Sequence, residues 1–123
     1  MPNRIEGKHP GEYIVSEGNG SVSRETVTFG QGPLVSACTV LGLVTATGKY
    51  VPLNPVAADG SQIAAAISYD NVDTTLADRR AVITARETEV NSSDLVWGAA
   101  TPAQIAAAKV QLAALEIICR VAI

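Results

Sequence analysis

Few residues of this chain are suited to acid–base or nucleophilic catalysis. Its only histidine, His9, lies in an N-terminal stretch of prolines, glycines and charges that predicts a mobile arm. A general base must be held within hydrogen-bond reach of the atom it serves, so a histidine in such an arm is a poor candidate. Without a second histidine, the Ser-His-Asp and Cys-His arrangements lack their base.

The metal-ligating residue types are equally scattered. Cys38 and Cys119 each have apolar neighbours and share no ligand spacing with His9, so we expect two reduced, buried thiols and no zinc site. The stretch Asp70-Asn71-Val72-Asp73 lacks the glycine and the twelfth-position glutamate of a calcium loop, and it predicts a polar turn between strands.

One carboxylate pair remains. Glu87 and Glu89 are placed two residues apart, on one face of a predicted strand, and paired carboxylates perform glycoside hydrolysis. Two exposed acids at this spacing more often form a solvated sheet edge. The sequence therefore predicts a protein that is not an enzyme and needs no cofactor.

Composition narrows the function classes further. The net charge is −3 and no basic block occurs, which argues against nucleic-acid binding. The most apolar stretch, residues 99–123, is interrupted by Lys109, Glu116 and Arg120, and the N-terminus has no apolar signal region. We therefore expect a soluble protein made in the cytoplasm, with no membrane partner. Only 17% of residues are charged, below the usual ~25%, which hints at apolar surface covered by partners.

The spacing of apolar residues predicts one mainly β domain over residues 23–123, preceded by a flexible arm over residues 1–22. Alternation of period two predicts strands over residues 24–29 and 80–86. Apolar runs predict strands over residues 40–45 and 62–69, and Gly48 is expected to take a positive φ angle in a tight turn. Regular structure is expected to begin at Ser23.

One short helix is predicted near the C-terminus. Thr101-Pro102-Ala103-Gln104 is a capping box with proline at the first helical position. The helix should end near residue 116 and bury one face, formed by Ile105, Ala108, Leu112 and Leu115. Residues 117–123 alternate again and predict a final strand tucked into the core.

Two aromatic residues are candidate anchors for a partner, because aromatic side chains dominate interface hot spots. Trp97 is equally well explained as a residue at the edge of the core. Tyr13 lies in the only β-prone stretch of the predicted arm, where a core role is less expected. That stretch is the candidate partner-binding segment: Glu12, Tyr13, Ile14, Val15 and Ser16.

The order of these segments is itself informative. An arm is followed by Ser23-Arg24-Glu25-Thr26-Val27, a break at Gly30 and Gly32, Gly48-Lys49-Tyr50-Val51-Pro52-Leu53, Asp59-Gly60-Ser61, Asp73-Thr74-Thr75, Leu95-x-Trp97, and a closing helix and strand. In this order, from about residue 11 to 123, the chain resembles the head decoration protein family of lambda-like tailed phages.

The resemblance implies a compact β-clip domain with little regular helix. It implies a homotrimer that sits outside the expanded phage head, in the virion, at three-fold positions, clamps the major capsid protein and helps the shell resist packaged DNA. It also implies an N-terminal arm that adds to a strand of the capsid protein, so Glu12 to Ser16 become the candidate capsid-binding residues. Deleting residues 1–16 should then abolish capsid binding and leave a folded trimer.

Two alternatives stay open: another phage structural part, such as a tail or head-completion protein, and a small ligand-binding β-domain. The alanine-rich helix over residues 101–116 is longer than the resemblance implies, which leaves the trimer contacts on that side unassigned.

Overall fold

The computed structural model describes residues 13–17, 23–98 and 100–120. Within these residues the fold is mainly β, with one short helix near the C-terminus, as predicted. The elements are β1 (Ile14–Glu17), β2 (Arg24–Phe29), β3 (Val40–Val44), β4 (Lys49–Pro52), β5 (Ala64–Ser68), β6 (Arg79–Thr84), β7 (Thr88–Asn91), a 3-10 turn (Ser92–Asp94), α1 (Pro102–Ala113) and β8 (Ile117–Arg120).

Five strands close into a barrel in the order β2-β4-β3-β5-β6. The barrel is closed by β2 and β6, which pair antiparallel from Arg24 opposite Thr84 to Phe29 opposite Arg79. The predicted bounds of β2 are confirmed, and those of β3, β5 and β6 are confirmed to within two residues. The strands bury one apolar cluster, which we call the barrel cluster: Phe29, Val35, Leu41, Ala66, Val72 and Ile83.

Glycines permit two tight features of the barrel. Gly48 has a φ of 69°, which confirms the predicted turn between β3 and β4. Gly42, within β3, faces the turn at Ser61 so closely that a Cβ atom there would lie 2.3 Å from the Ser61 carbonyl oxygen. A side chain at this position would therefore push the turn away from the barrel wall.

The other three strands form a separate sheet in the order β1-β7-β8. β1 runs antiparallel to β7, and β8 runs parallel to it. Regular structure therefore begins at β1, and the expectation that it begins at Ser23 is wrong. β1 has only four residues, and its partner lies more than seventy residues away, so no local pattern revealed the pairing. The rest of the predicted arm, residues 1–12 and 18–22, lies outside the described residues.

Helix α1 confirms the capping box. The Gln104 backbone N–H donates to the Thr101 hydroxyl oxygen at 3.3 Å, and the Thr101 N–H donates to the Gln104 side chain at 2.8 Å. Ala108 and Leu112 are buried as predicted. The helix ends at Ala113, and Leu115 is 37% exposed because it lies in the turn before β8. Within the described ranges, no helix has the length and apolar character needed to cross a membrane.

A second apolar cluster fills the space around the three-stranded sheet, helix α1 and the barrel wall, and we call it the outer cluster. Its buried residues come from both ends and the middle of the described chain: Tyr13, Ala37, Cys38, Val40, Leu53, Ala64, Ile67, Val90, Leu95, Ala108, Leu112 and Ile117. Four half-buried side chains pack against them: Ile14, Val96, Trp97 and Cys119.

Candidate functional site

Tyr13 is the best-fixed residue of the candidate segment. Its side chain is fully buried in the outer cluster, and its phenol is hydrogen-bonded to the Thr84 hydroxyl of β6. The Asn91 N–H donates to the Tyr13 carbonyl at 2.8 Å. Burial raises the pKa of Tyr13 far above its usual value, so the phenol stays neutral. The Tyr13 side chain therefore belongs to the core of its own domain and is not exposed to a partner.

The neighbours of Tyr13 are divided between the core and the surface. Ile14 is half-buried against the outer cluster, whereas Val15 is 51% exposed. Ser16 pairs with Glu89 in the sheet, and Glu12 lies outside the described residues. β1 is an edge strand of its sheet, so among the described strands only one of its two backbone edges is paired. An edge strand of this kind can accept a further strand.

Both tails of the chain leave the described fold at the same end of this sheet. Asn91, the last residue of β7, contacts Tyr13, where β1 is entered, and is paired with Arg120, where β8 ends. The first and last described residues, Tyr13 and Arg120, therefore lie on either side of Asn91.

An uncharged groove of about 230 Å³ lies between the barrel and the segment that follows β7. Val35, Val40 and Leu53 are its buried floor, and Leu34, at 64% exposure, and Trp97 line it. The sequence suggested Trp97 as a core-edge residue or an anchor. The structure places it half-buried against the outer cluster, with its ring lining this groove. Leu34 was missed, because a single leucine in a Gly-Pro-rich break shows no periodicity.

A second concavity, about 590 Å³, is lined by both charged and apolar side chains and includes the predicted turn at residues 70–73. Its charged groups serve the local fold. The Asp73 carboxylate accepts hydrogen bonds from the Thr75 N–H and hydroxyl, which lower its pKa. The Arg80 guanidinium donates to the Thr26 carbonyl at 3.2 Å. These hydrogen bonds stabilise the turn and the pairing of β6 with β2. They do not bring several reactive side chains together.

The expected placement of Glu87 and Glu89 on one strand face is wrong. Glu87 lies before β7 with a φ of 49°, a left-handed conformation that interrupts the alternation of side chains. Glu89 is in β7, where its carboxylate accepts a hydrogen bond from the Arg120 guanidinium at 2.8 Å. The two acids therefore do not form the pair that glycoside hydrolysis requires.

The ligating residues also stay apart. Cys38 is buried, Cys119 is half-buried, and neither forms a disulfide. Across the part of the chain that the structure describes, no three His, Cys, Asp or Glu side chains lie close enough together to hold a metal ion. His9 lies outside that part.

Comparison with known protein families supports the resemblance found in the sequence. No curated protein matches the chain significantly. The sequence model of the family described as "Bacteriophage lambda head decoration protein D" matches residues 4–117. The matched range includes β1, the whole barrel, β7 and α1, and ends at the first residue of β8. The match covers most of the chain, and the chain therefore belongs to the lambda head decoration protein family.

Proposed function

We propose that this protein is a structural, non-enzymatic part of the phage virion. It binds as a trimer to the outside of the expanded head at three-fold positions and stabilises the shell against the pressure of packaged DNA. The observation that carries the proposal is the family match over residues 4–117, which is nearly the whole domain. The mainly β fold with one short C-terminal helix agrees with what the resemblance implies.

The segment from Glu12 to Ser16 contacts the major capsid protein by strand addition in this proposal. Tyr13 anchors the segment in the core of the domain, and β1, which forms most of the segment, is an edge strand among the described strands. Strand addition takes its affinity from main-chain hydrogen bonds and its register from side-chain pockets. Val15 is then the side chain of this segment best placed to contact the shell, because Tyr13 and Ile14 face their own core.

The tails favour one orientation on the shell. They leave the described fold on either side of Asn91, so this end of the sheet faces the capsid. Ordering each residue of the N-terminal tail costs about 1–2 kcal/mol of conformational entropy. Three linked tails in a trimer offset that cost better than one, because the second and third bind at high effective concentration.

A mixing experiment tests this function. Purified heads that lack the protein are prepared in expanded and unexpanded forms, and binding is measured by co-sedimentation. We expect saturable binding to expanded heads alone, and greater resistance of the bound heads to rupture by packaged DNA. Equal binding to both forms, or none to either, would contradict the proposal. Light scattering of the free protein and mass measurement on the heads check the trimer separately.

A further inference from the structure

The uncharged groove between the barrel and the segment after β7 is a surface that the proposed function leaves without a role. Its lining residues are Pro33, Leu34, Val35, Ser36, Thr39, Val40, Pro52, Leu53, Val96, Trp97 and Gly98, and none is charged. At its rim, Leu34 is 64% exposed. Covering its side chain would be favourable by about 25 cal/mol for each Å² of apolar area removed from water. The groove therefore presents apolar side chains, with the exposed Leu34 beside the half-buried Trp97, to any partner that covers it.

The groove lies close to the root of the N-terminal tail. Asn91, whose N–H donates to the Tyr13 carbonyl at 2.8 Å, comes only a few residues before Val96 and Trp97, which line the groove. The Val96 N–H donates to the Cys38 carbonyl at 2.8 Å, which fixes the groove wall to the outer cluster. In the proposed function, a partner bound through residues 1–12 is therefore held near this part of the surface.

The size and chemistry of the groove limit what it can hold. Its volume of about 230 Å³ is below the roughly 300–1,000 Å³ of small-molecule sites, and it suits one or two inserted side chains. The chain's own tail fits it poorly. Residues 1–12 contain Arg4, Glu6, Lys8 and Glu12, with only Met1 and Ile5 as long aliphatic side chains. An uncharged groove cannot pair these charges, which would lose water on entry.

We propose that the Leu34–Trp97 groove is a second capsid contact, which takes an apolar side chain of the major capsid protein beside the site where the tail binds. This inference rests on the proposed function. The tail supplies main-chain pairing, and the groove supplies a dry, apolar contact that fixes the orientation of the domain. Two separate contacts on one rigid domain raise the affinity beyond either alone.

The test uses the full chain with one charge added at the groove rim. Leu34→Asp places a carboxylate where the apolar side chain would sit, and Leu34→Gln is a milder version without charge. Leu76→Asp is the matched control, because Leu76 is 83% exposed and does not line the groove. Thermal unfolding and light scattering of each variant are measured first, followed by equilibrium binding to expanded heads.

We expect Leu34→Asp to bind expanded heads at least about tenfold more weakly, as for a hot-spot residue, with its unfolding midpoint and oligomer mass unchanged. Leu34→Gln should show a smaller loss, and Leu76→Asp should bind like the unmodified chain. Unchanged binding by Leu34→Asp, or equal losses by Leu34→Asp and Leu76→Asp, would overturn the groove contact and leave the proposed function standing.

Two further outcomes are distinguishable. If Leu34→Asp changes the oligomer mass in the absence of heads, the groove lies between copies of the chain, and the capsid contact is wrong. If the unmodified protein does not bind expanded heads, the proposed function fails first, and the groove contact fails with it.

Discussion

The barrel cluster and the outer cluster differ in how far along the chain their residues lie. The barrel cluster draws on residues from Phe29 to Val72 and Ile83, within the central part of the chain. The outer cluster draws on residues from Tyr13 to Ile117 and so joins both ends of the chain. Contacts that distant must overcome more loop-closure entropy before they stabilise the fold.

The difference assigns separate roles to the two regions. The barrel forms the rigid body of the domain, whereas the outer cluster fixes the points from which the tails extend. In the proposed function, the outer cluster therefore sets the distance and direction between the barrel and the shell. Four predictions test this comparison, from the largest expected effect to the smallest.

Removing residues 1–17 should destabilise the protein most. The truncation deletes Tyr13 and β1, and loss of one large buried aromatic side chain alone typically costs about 3–5 kcal/mol of unfolding free energy. This reverses the sequence-based expectation that a chain lacking residues 1–16 stays folded. Urea unfolding gives the free energies.

The matched control for this truncation is removal of residues 1–12, which keeps Tyr13. That chain should unfold at the same urea concentration as the full protein and bind heads more weakly, because it lacks the N-terminal tail and Glu12 but keeps Val15 and β1. Equal stability of the two truncated chains would show that Tyr13 does not belong to the core in solution.

Leu112→Ala should cost about 2–5 kcal/mol, because Leu112 is fully buried in the outer cluster. Leu41→Ala, an equally buried change in the barrel cluster, is the control. Hydrogen exchange distinguishes the two regions. Leu112→Ala should speed exchange of β7 and β8 amides more than that of barrel amides, whereas Leu41→Ala should speed both through global opening. Identical exchange patterns would contradict two separable regions.

Tyr13→Phe should cost about 1–2 kcal/mol, because it leaves the Thr84 hydroxyl buried without the phenol. Thr84→Val should cost a similar amount. The double variant should recover part of the loss, since replacing both partners with apolar groups removes the unpaired atom. Thermal unfolding of the four proteins measures the coupling. Strictly additive losses would mean that the bond joining the outer cluster to β6 contributes nothing.

The smallest effect concerns an exposed ion pair on the barrel. The Asp78 carboxylate lies 2.5 Å from the Lys49 ammonium and accepts a hydrogen bond from the Gln31 N–H, and both contacts lower the pKa of Asp78 below its ordinary 3.8. Its contribution to stability is therefore complete above that ordinary value and is lost as the pH falls through the lower folded pKa. Asp78→Asn should make unfolding slightly less dependent on pH in this acidic range, measured by thermal unfolding between pH 2 and 5. An unchanged pH dependence would contradict it.

Much of the fold could be predicted because its cues are local. The alternation over residues 24–29 requires only neighbouring residues, and the capping box spans four. Their hydrogen bonds or side-chain faces are specified within one turn or strand, so short-range patterns were sufficient. The order of such segments was also enough to suggest the family that the match over residues 4–117 establishes.

The candidate site could be predicted only in part. The segment around Tyr13 was identified as β-prone, but its attachment depends on Thr84 and Asn91, each more than seventy residues away. A strand was expected at Glu87 and Glu89, but β7 begins only at Thr88, and no local pattern revealed the positive φ angle of Glu87 that separates it from β6. The groove joins Leu34, Leu53 and Trp97 from three separate loops or strand ends, so no window of sequence contains it.

By itself, the sequence offered no recognisable catalytic set of residues, predicted a mainly β fold with one capped helix, and resembled a phage head family. Only the tertiary structure decided that Tyr13 is a core residue, that both tails leave beside Asn91, and that an apolar groove lies next to the tail's root. The physical reason is that the burial of a side chain, and the position of a strand at the edge of a sheet, depend on contacts between residues far apart in the sequence. Tertiary packing sets these contacts, and local spacing does not.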